Sequence, residues 1–143
     1  MMDGKNRACV LTQLKTMEFR DVPMPTPAPG EILMKLEAVG ICGSDVHYYN
    51  HGRIGDFVVD FPFILGHECA GTVVGLGEGV TSHAIGDRVA LEPGVPCGKC
   101  EQCRSGRYNL CPDVKFFATP PYDGCLMNYV TFPAEFAFKL PEN

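Results

Sequence analysis

The stretch GHECAGTVVGLGEGV, from Gly66 to Val80, contains a short apolar run bounded by glycines. Short runs rich in Val, Leu, Ile and Phe that end at Gly, Pro or Asp are typical of β-strands. Further runs of this kind occur along the chain, and none continues with the apolar spacing of a long helix. The sequence therefore predicts a mainly β domain, with strands at ACVLTQL (8–14), EILMKLEAVGI (31–41), GTVVGLG (71–77), DRVALEP (87–93), LMNYVTF (126–132) and FAFKLP (136–141).

Two connections and one helix lie between these strands. The segment DVPMPTPAPGE (21–31) carries four prolines, so it predicts an extended connection into the strand that starts near Ile32. A short helix is expected after Cys42, with Ser44 or Asp45 as its cap. GLGEG (75–79) begins like the dinucleotide-binding pattern G-x-G-x-x-G, but Val80 stands where the third glycine belongs, and we interpret it as a loop.

Composition narrows the function classes. The 143 residues suffice for one domain with a hydrophobic core, and the net charge is −5. Lys99, Arg104 and Arg107 cluster near several cysteines, but an acidic chain with three such cations predicts no nucleic-acid partner. No secretory signal or membrane-spanning run is predicted, which indicates a cytoplasmic protein whose close-spaced cysteines are more likely to be metal ligands than disulfides.

Half of the eight cysteines fall within PCGKCEQCRSGRYNLC (96–111), at the spacing C-x2-C-x2-C-x7-C. Four thiolates can complete a tetrahedral Zn²⁺ shell, and such a closed site is structural because no position is left for substrate. A redox-active or disulfide-bonded cluster is the alternative. The sequence thus predicts a zinc-binding lobe formed by Cys97, Cys100, Cys103 and Cys111.

A second candidate cluster combines the stretches GICGSDVHYY (40–49) and LGHECAG (65–71). Cys42, His67 and Glu68 offer a thiolate, an imidazole and a carboxylate. Three protein ligands and a water form the usual catalytic zinc site. Structural roles for a buried cysteine and a hydrogen-bonded histidine remain the alternative.

The pattern G-H-E-x2-G-x5-G-x2-V occurs in full from Gly66 to Val80, and it resembles the signature of zinc-dependent medium-chain alcohol and polyol dehydrogenases. GDRV (86–89) and the four-cysteine lobe follow in the order that this family shows. The resemblance implies a GroES-like β-barrel with short helices and a zinc-binding lobe over residues 1–143. Three finer stretches resemble the sorbitol and xylitol dehydrogenase branch: CGSDVHYYNHGRIGDF (42–57), GRYNLCP (106–112) and ATPPYDG (118–124).

The resemblance also implies roles for single residues. Cys42 and His67 match catalytic zinc ligands, and Glu68 matches a neighbour that ligates the metal directly or intermittently. The four lobe cysteines match the structural zinc ligands. Ser44 matches the hydroxyl that receives the substrate proton, and His47 matches a residue that passes it towards solvent.

Other residues are implied to support the site or the substrate. Asp45 is expected to orient the site from behind the ligands. Tyr48, Phe116 and Thr119 fall where polyol dehydrogenases line the substrate pocket, with a core position as the alternative for Phe116. The remaining histidines and cysteines are expected at the surface and in the core, respectively: His51 and His83, then Cys9, Cys69 and Cys125.

The activity implied is oxidation of a secondary alcohol of a small polyol to a ketone, with hydride transfer to NAD or NADP. Members of this family hold the nicotinamide in a Rossmann domain, and residues 1–143 contain no G-x-G-x-x-G. We therefore expect a longer, homo-oligomeric enzyme of which this chain is the catalytic part, inactive by itself. The alternatives are a threonine or simple alcohol dehydrogenase of the same family, and a non-catalytic zinc-binding interaction module.

Overall fold

The computed structural model describes residues 4–142, and within them the chain is mainly β. The domain range predicted above, 1–143, includes residues 1–3 and 143, which lie outside the described part. The strands are β1 (Asn6–Gln13), β2 (Thr16–Val22), β3 (Glu31–Gly40), β4 (Arg53–Ile54), β5 (Phe57–Val58), β6 (Phe63–Ile64), β7 (Glu68–Leu76), β8 (Arg88–Leu91), β9 (Gly94–Val95), β10 (Lys115–Phe116), β11 (Tyr129–Pro133) and β12 (Ala137–Lys139). The helices are α1 (Gly43–His51) and α2 (Glu101–Arg104), with 3₁₀ turns at Tyr108–Leu110 and Ala134–Phe136.

Each of the six predicted apolar runs contains a strand, so this part of the prediction is confirmed. The strand β2, TMEFRDV, was not predicted because few of its residues are apolar. It lies at the edge of a sheet, where most of its side chains face solvent, and the burial of apolar side chains therefore leaves little pattern in its sequence.

Two antiparallel sheets form most of the domain. The larger has the strand order β11-β3-β7-β8-β12, and the smaller has the order β2-β1-β6. The segment 126–128 joins them: Cys9 N–H donates to the Leu126 carbonyl at 2.8 Å, Asn128 N–H to the Arg7 carbonyl at 3.0 Å, and Leu36 N–H to the Asn128 carbonyl at 2.8 Å. These bonds pair the segment with both sheets, which closes the predicted β-barrel.

The main core lies against the inner face of the larger sheet. Ile32, Met34, Val73 and Val89 are completely buried there, on three neighbouring strands. Burial of each such side chain contributes about 1.5–3 kcal/mol relative to exposure. The core therefore holds β3, β7 and β8 in register, and β3 and β7 are the strands that lead to and from the open cluster.

Glycines allow β7 to lie unusually close to neighbouring backbone. A β-carbon at Gly71 would overlap the Lys35 carbonyl oxygen, and one at Gly77 would overlap the Ala28 carbonyl oxygen. Both obstacles are backbone atoms, which cannot rotate away as a side chain can. The spacing G-x5-G of the signature therefore marks two points, one within β7 and one directly after it, where the chain requires a residue without a side chain.

The predicted helix after Cys42 is confirmed; its N-cap residue is neither Ser44 nor Asp45, although the Asp45 side chain does supply a capping carboxylate. Cys42 itself is the N-cap residue of α1, in an extended conformation, and Ser44 lies in the first turn. The Asp45 carboxylate accepts a hydrogen bond from the Cys42 N–H at 3.0 Å. The capping oxygen thus comes from a side chain inside the first turn. The N-cap residue itself is a cysteine and a candidate metal ligand.

The other local predictions agree with the structure in most of their residues. Residues 23–30 form the extended connection into β3. In the segment 75–79 that was predicted as a loop, Gly75 and Leu76 still belong to β7, and residues 77–79 form the loop instead of opening a helix. Neither helix found in residues 4–142 has the length and apolar character needed to cross a membrane.

Asn6 ties β1 to β11 from a completely enclosed position. Its side-chain amide donates to the Tyr129 carbonyl at 2.9 Å and its side-chain oxygen accepts from the Tyr129 N–H at 3.0 Å. Asn6→Ala should leave both buried backbone groups unpaired and lower the free energy of unfolding by roughly 2–4 kcal/mol, measured by chemical denaturation at fixed zinc. Asn128→Ala is the matched control, since Asn128 is exposed and its side-chain oxygen accepts a single hydrogen bond, from the Arg7 N–H; an equal loss in both variants would contradict this role for Asn6.

Candidate metal centres

The four lobe cysteines come together in a compact loop. Cys97 and Cys100 follow β9, Cys103 lies in α2, and Cys111 follows the 3₁₀ turn Tyr108–Leu110. All four sulfur atoms lie within 4.8 Å of one another. The Cys100–Cys103 and Cys97–Cys103 sulfur distances are 3.4 and 4.0 Å. These values bracket the spacing of about 3.8 Å that tetrahedral coordination at Zn–S distances near 2.3 Å requires.

Backbone N–H groups in the lobe donate hydrogen bonds to cysteine sulfur atoms. Hydrogen bonds from the Lys99 and Cys100 amides lower the pKa of Cys97 to about 6, whereas desolvation and the neighbouring thiols raise the pKa of Cys103 to about 12. The Cys103 N–H also donates to the Cys100 sulfur at 3.5 Å. Amide donors stabilise thiolates, which are the form that binds metal. The donor set therefore fits a structural zinc with no open coordination position.

The disulfide alternative receives no support from the geometry. All eight cysteines are free thiols in the described residues. The Cys100–Cys103 sulfur separation of 3.4 Å far exceeds the S–S bond length of about 2.05 Å.

The second cluster is assembled from two distant parts of the sequence. Cys42 stands at the N-terminus of α1, and His67 and Glu68 stand where the chain enters β7. One ligand atom from each residue lies within 4.8 Å of the others. The His67 side chain is 12% exposed and Glu68 is exposed. The exposed Glu68 therefore forms a side of this cluster that is open to solvent.

Asp45 connects the two parts of the open cluster. It is only 3% exposed, and one carboxylate oxygen accepts from the Cys42 N–H while the other accepts from the Gly66 N–H at 2.9 Å. That second oxygen also lies 3.7 Å from His67 Nδ1. The ring therefore faces Asp45 with Nδ1, at a separation longer than a hydrogen bond, and leaves Nε2 for a metal.

The backbone around both ligands suits their roles. Gly66 has φ of +89°, a left-handed conformation that turns the chain so that His67 follows directly. A β-carbon there would also lie 2.8 Å from Leu126 Cγ. Cys42 stands at the N-terminus of α1 in an extended conformation, so its position is fixed by the start of the helix. One thiolate, one imidazole and one carboxylate, with one side open, are the donor set of a catalytic zinc site.

The structure places the other predicted site residues at different distances from this cluster. Ser44 is half-buried in the first turn of α1, and His47 is exposed one turn later, with its ring centroid 4.6 Å from that of His51. The Phe116 ring lies 5.7 Å from the His67 ring, so Phe116 borders the open cluster. Thr119 is half-buried in the turn that follows β10.

Tyr48 lies elsewhere. Its side chain is 3% exposed and belongs to a second core cluster with Leu11, Phe63 and Leu65. Burial raises the pKa of its hydroxyl. A pocket role for Tyr48 stays a prediction from the resemblance, and its position shows a packing role.

Sequence reasoning did not identify Gly66 as a partner of Asp45. Gly66 was visible only as a member of the G-H-E pattern. Its N–H reaches Asp45 because α1 and the entry to β7 lie side by side, which no local pattern reports. Asp45 and Gly66 are twenty-one residues apart in the sequence, and this separation could have indicated their hydrogen bond only if the fold had been known.

A β-barrel with one closed thiolate site and one open mixed site is the architecture of a catalytic zinc-binding domain. Residues 28–142 match the family described as Alcohol dehydrogenase GroES-like domain. This match covers most of the chain, which therefore belongs to that family.

The curated relatives of this chain include polyol-related enzymes. Sorbitol dehydrogenase of Bacillus subtilis is 51% identical over 96% of this chain, and a probable D-xylulose reductase A of Emericella nidulans is 49% identical over 98% of it. The chain spans 39% of the length of each of these relatives.

Solved structures of dehydrogenases also resemble this chain. An Escherichia coli oxidoreductase/dehydrogenase of unknown specificity superimposes with a TM-score of 0.91 at 48% identity, covering 97% of this chain and 41% of that one. A second E. coli protein, titled a short chain alcohol dehydrogenase complexed with NADH, superimposes with a TM-score of 0.86 at 33% identity, covering 97% of this chain and 39% of that one.

Cys103→Ser removes one ligand of the closed lobe. We expect elemental analysis of the folded, reduced chain to find about two zinc ions per wild-type chain and about one in the variant, because a four-thiolate site depends on every ligand. Cys9→Ser is the control, since Cys9 lies outside both clusters. Unchanged zinc content in Cys103→Ser would contradict the assignment of the lobe.

Asp45→Ala removes the carboxylate that joins Cys42 to His67. We expect zinc affinity at the open cluster to fall about 10–100-fold, as is typical when a partner behind a metal ligand is lost. The lobe should keep its metal, and Asp60→Ala, at an exposed aspartate, should change neither site. Competition with a chelating indicator measures both affinities; equal weakening of the two sites would indicate general unfolding instead.

Proposed function

We propose that this chain is the zinc-binding catalytic domain of a longer NAD- or NADP-dependent polyol dehydrogenase, which oxidises a secondary alcohol to a ketone. The observation that carries the proposal is the open cluster of Cys42, His67 and Glu68, built beside a separate closed lobe. The similarity to sorbitol dehydrogenase and xylulose reductase over nearly the whole chain supports a polyol as the substrate class.

The nicotinamide site lies outside this domain in the proposal. The relatives are about two and a half times longer than the chain, which leaves room in them for a cofactor-binding domain. Residues 1–143 alone should therefore show no nicotinamide-dependent oxidation, even with both clusters loaded.

Zinc bound at the open cluster would act as a Lewis acid that lowers the pKa of an alcohol hydroxyl beside it. The surrounding residues set how strong that effect is. Cys42 contributes one negative charge and His67 none, which leaves a net positive charge in the cluster. Glu68 would neutralise that charge if it remained bound throughout, so intermittent ligation by Glu68 suits the chemistry better.

Ser44 and His47 provide the route for the proton. They stand three residues apart on α1, so their side chains share one face of the helix. Ser44 is half-buried and two residues from Cys42, whereas His47 is exposed. In the proposal the Ser44 hydroxyl accepts the alcohol proton while it gives its own proton to His47, and His47 passes a proton to solvent.

Phe116 supplies an apolar wall for the substrate. Its ring lies at 56° to the His67 ring with 5.7 Å between centroids, on the side of the cluster formed by β10. Thr119 belongs to the turn after β10, where its N–H donates to the Phe116 carbonyl at 3.1 Å. We assign both to the polyol pocket.

Further assignments complete the proposal. Clustered free cysteines suit a reducing compartment, and we place the enzyme in the cytoplasm as a homo-oligomer.

A threonine or simple alcohol dehydrogenase would differ in substrate preference. A panel of sorbitol, xylitol, threonine and ethanol, tested on the full-length enzyme, decides between these alternatives.

Ser44→Ala in the full-length enzyme tests the proton route. Loss of a positioned proton acceptor should lower kcat for polyol oxidation by about 10²–10⁴-fold. Zinc content should stay unchanged, since Ser44 is no ligand. Ser82→Ala, in a distant loop, is the matched control and should retain normal turnover; near-normal kcat of Ser44→Ala across the pH range would exclude this role.

A further inference from the structure

The carboxylate of Glu68 lies in the space that a side chain at position 40 would occupy, and this space is free because residue 40 is glycine. Gly40, the last residue of β3, lies directly opposite Glu68, the first residue of β7. A β-carbon built on Gly40 would overlap Glu68 Oε2 and approach Glu68 Cβ and Cδ to 3.1 and 3.4 Å. The side chain of Glu68 is thus folded back over the Gly40 backbone instead of extending into solvent.

Nothing else in the described residues holds that carboxylate in place. Within residues 4–142 it forms no ion pair, although Glu68 is exposed and has rotatable bonds enough to turn away. In the folded-back position its oxygen lies within 4.8 Å of the ligand atoms of Cys42 and His67. The space above Gly40 therefore coincides with the position from which Glu68 can reach a metal.

The backbone of Gly40 does not itself require glycine. Its φ lies outside the left-handed region that disfavours side chains. It also differs from Gly71 and Gly77, where the obstacle to a β-carbon is a neighbouring carbonyl. At Gly40 the severe overlap is with the movable carboxylate oxygen, and the 3.1 Å approach to Glu68 Cβ requires only a shift of a few tenths of an ångström, so a substitution there should displace the Glu68 carboxylate rather than distort the sheet.

We propose that Gly40 is a positioning residue for the open cluster: its missing side chain forms the notch in which the Glu68 carboxylate rests beside Cys42 and His67. The inference depends on the proposed assignment of these three residues as a metal site. A methyl group at position 40 moves the carboxylate out of reach of the metal, and Glu68 then behaves as though its carboxylate were absent.

The inference is tested with three variants: Gly40→Ala, Glu68→Ala and the double variant. Two quantities are measured for each variant, the zinc affinity and the cadmium-113 NMR spectrum. The cadmium chemical shift reports how many sulfur ligands, and how many nitrogen or oxygen ligands, the metal has. Gly40→Ala should weaken zinc at the open cluster about 10–100-fold and shift the open-site cadmium signal to that of Glu68→Ala. In the Glu68→Ala background, Gly40→Ala should change affinity by less than about twofold. The signal of the four-cysteine lobe should not move in any variant.

Gly43→Ala is the matched control, because Gly43 is next to Cys42 but a β-carbon there would meet no atom within 4 Å. It should retain wild-type affinity and signals. Wild-type affinity and shift in Gly40→Ala, or a further large loss on adding Gly40→Ala to Glu68→Ala, would overturn the inference.

Two further outcomes are distinguishable. If Gly40→Ala does not fold, the double variant should fold, since truncating Glu68 to alanine removes the carboxylate that overlaps position 40 and leaves only the 3.1 Å contact with Cβ; a double variant that also fails to fold overturns the inference. A wild-type chain that binds metal only at the lobe would instead refute the assignment of the open cluster, and with it the proposed function.

Discussion

The buried carboxylate of Asp45 is the interaction on which the open cluster depends. A charge that is 3% exposed is costly unless hydrogen bonds replace its water, and here two backbone amides and the His67 ring surround it. The amides belong to Cys42 and Gly66, which start the two segments that carry the ligands. The same contacts that stabilise the charge therefore set the separation of Cys42 and His67.

The two clusters differ in how they are built, and this explains how they differ in use. The lobe draws its ligands from fifteen consecutive residues, and its geometry follows from local turns and amide–sulfur hydrogen bonds. The open cluster requires α1, β3 and β7 to be packed together before its ligands meet. A local thiolate site can hold a loop rigid, whereas a site made by the fold can leave one side free for another molecule.

This difference also decided what could be predicted from the sequence. The spacing of the lobe cysteines and the apolar runs of the inner strands are local patterns, and both predictions agree with the structure. The edge strand β2 was missed because solvent covers most of it, and the N-cap at Cys42 was misassigned because the capping oxygen arrives from Asp45. The Gly66–Asp45 bond and the burial of Tyr48 depend on contacts between segments that no spacing rule describes.

Glycine is the residue type that makes the open cluster sterically possible. Gly66 turns the chain before His67, and Gly71 and Gly77 let β7 lie against neighbouring carbonyls. If β7 were displaced by the width of a methyl group at either point, Glu68 and the residue before it would move relative to α1, and His67 would lose its place beside Asp45. The G-H-E-x2-G-x5-G pattern thus combines two ligands with the backbone clearances that bring them to Cys42, so the motif is a steric requirement as much as a chemical one.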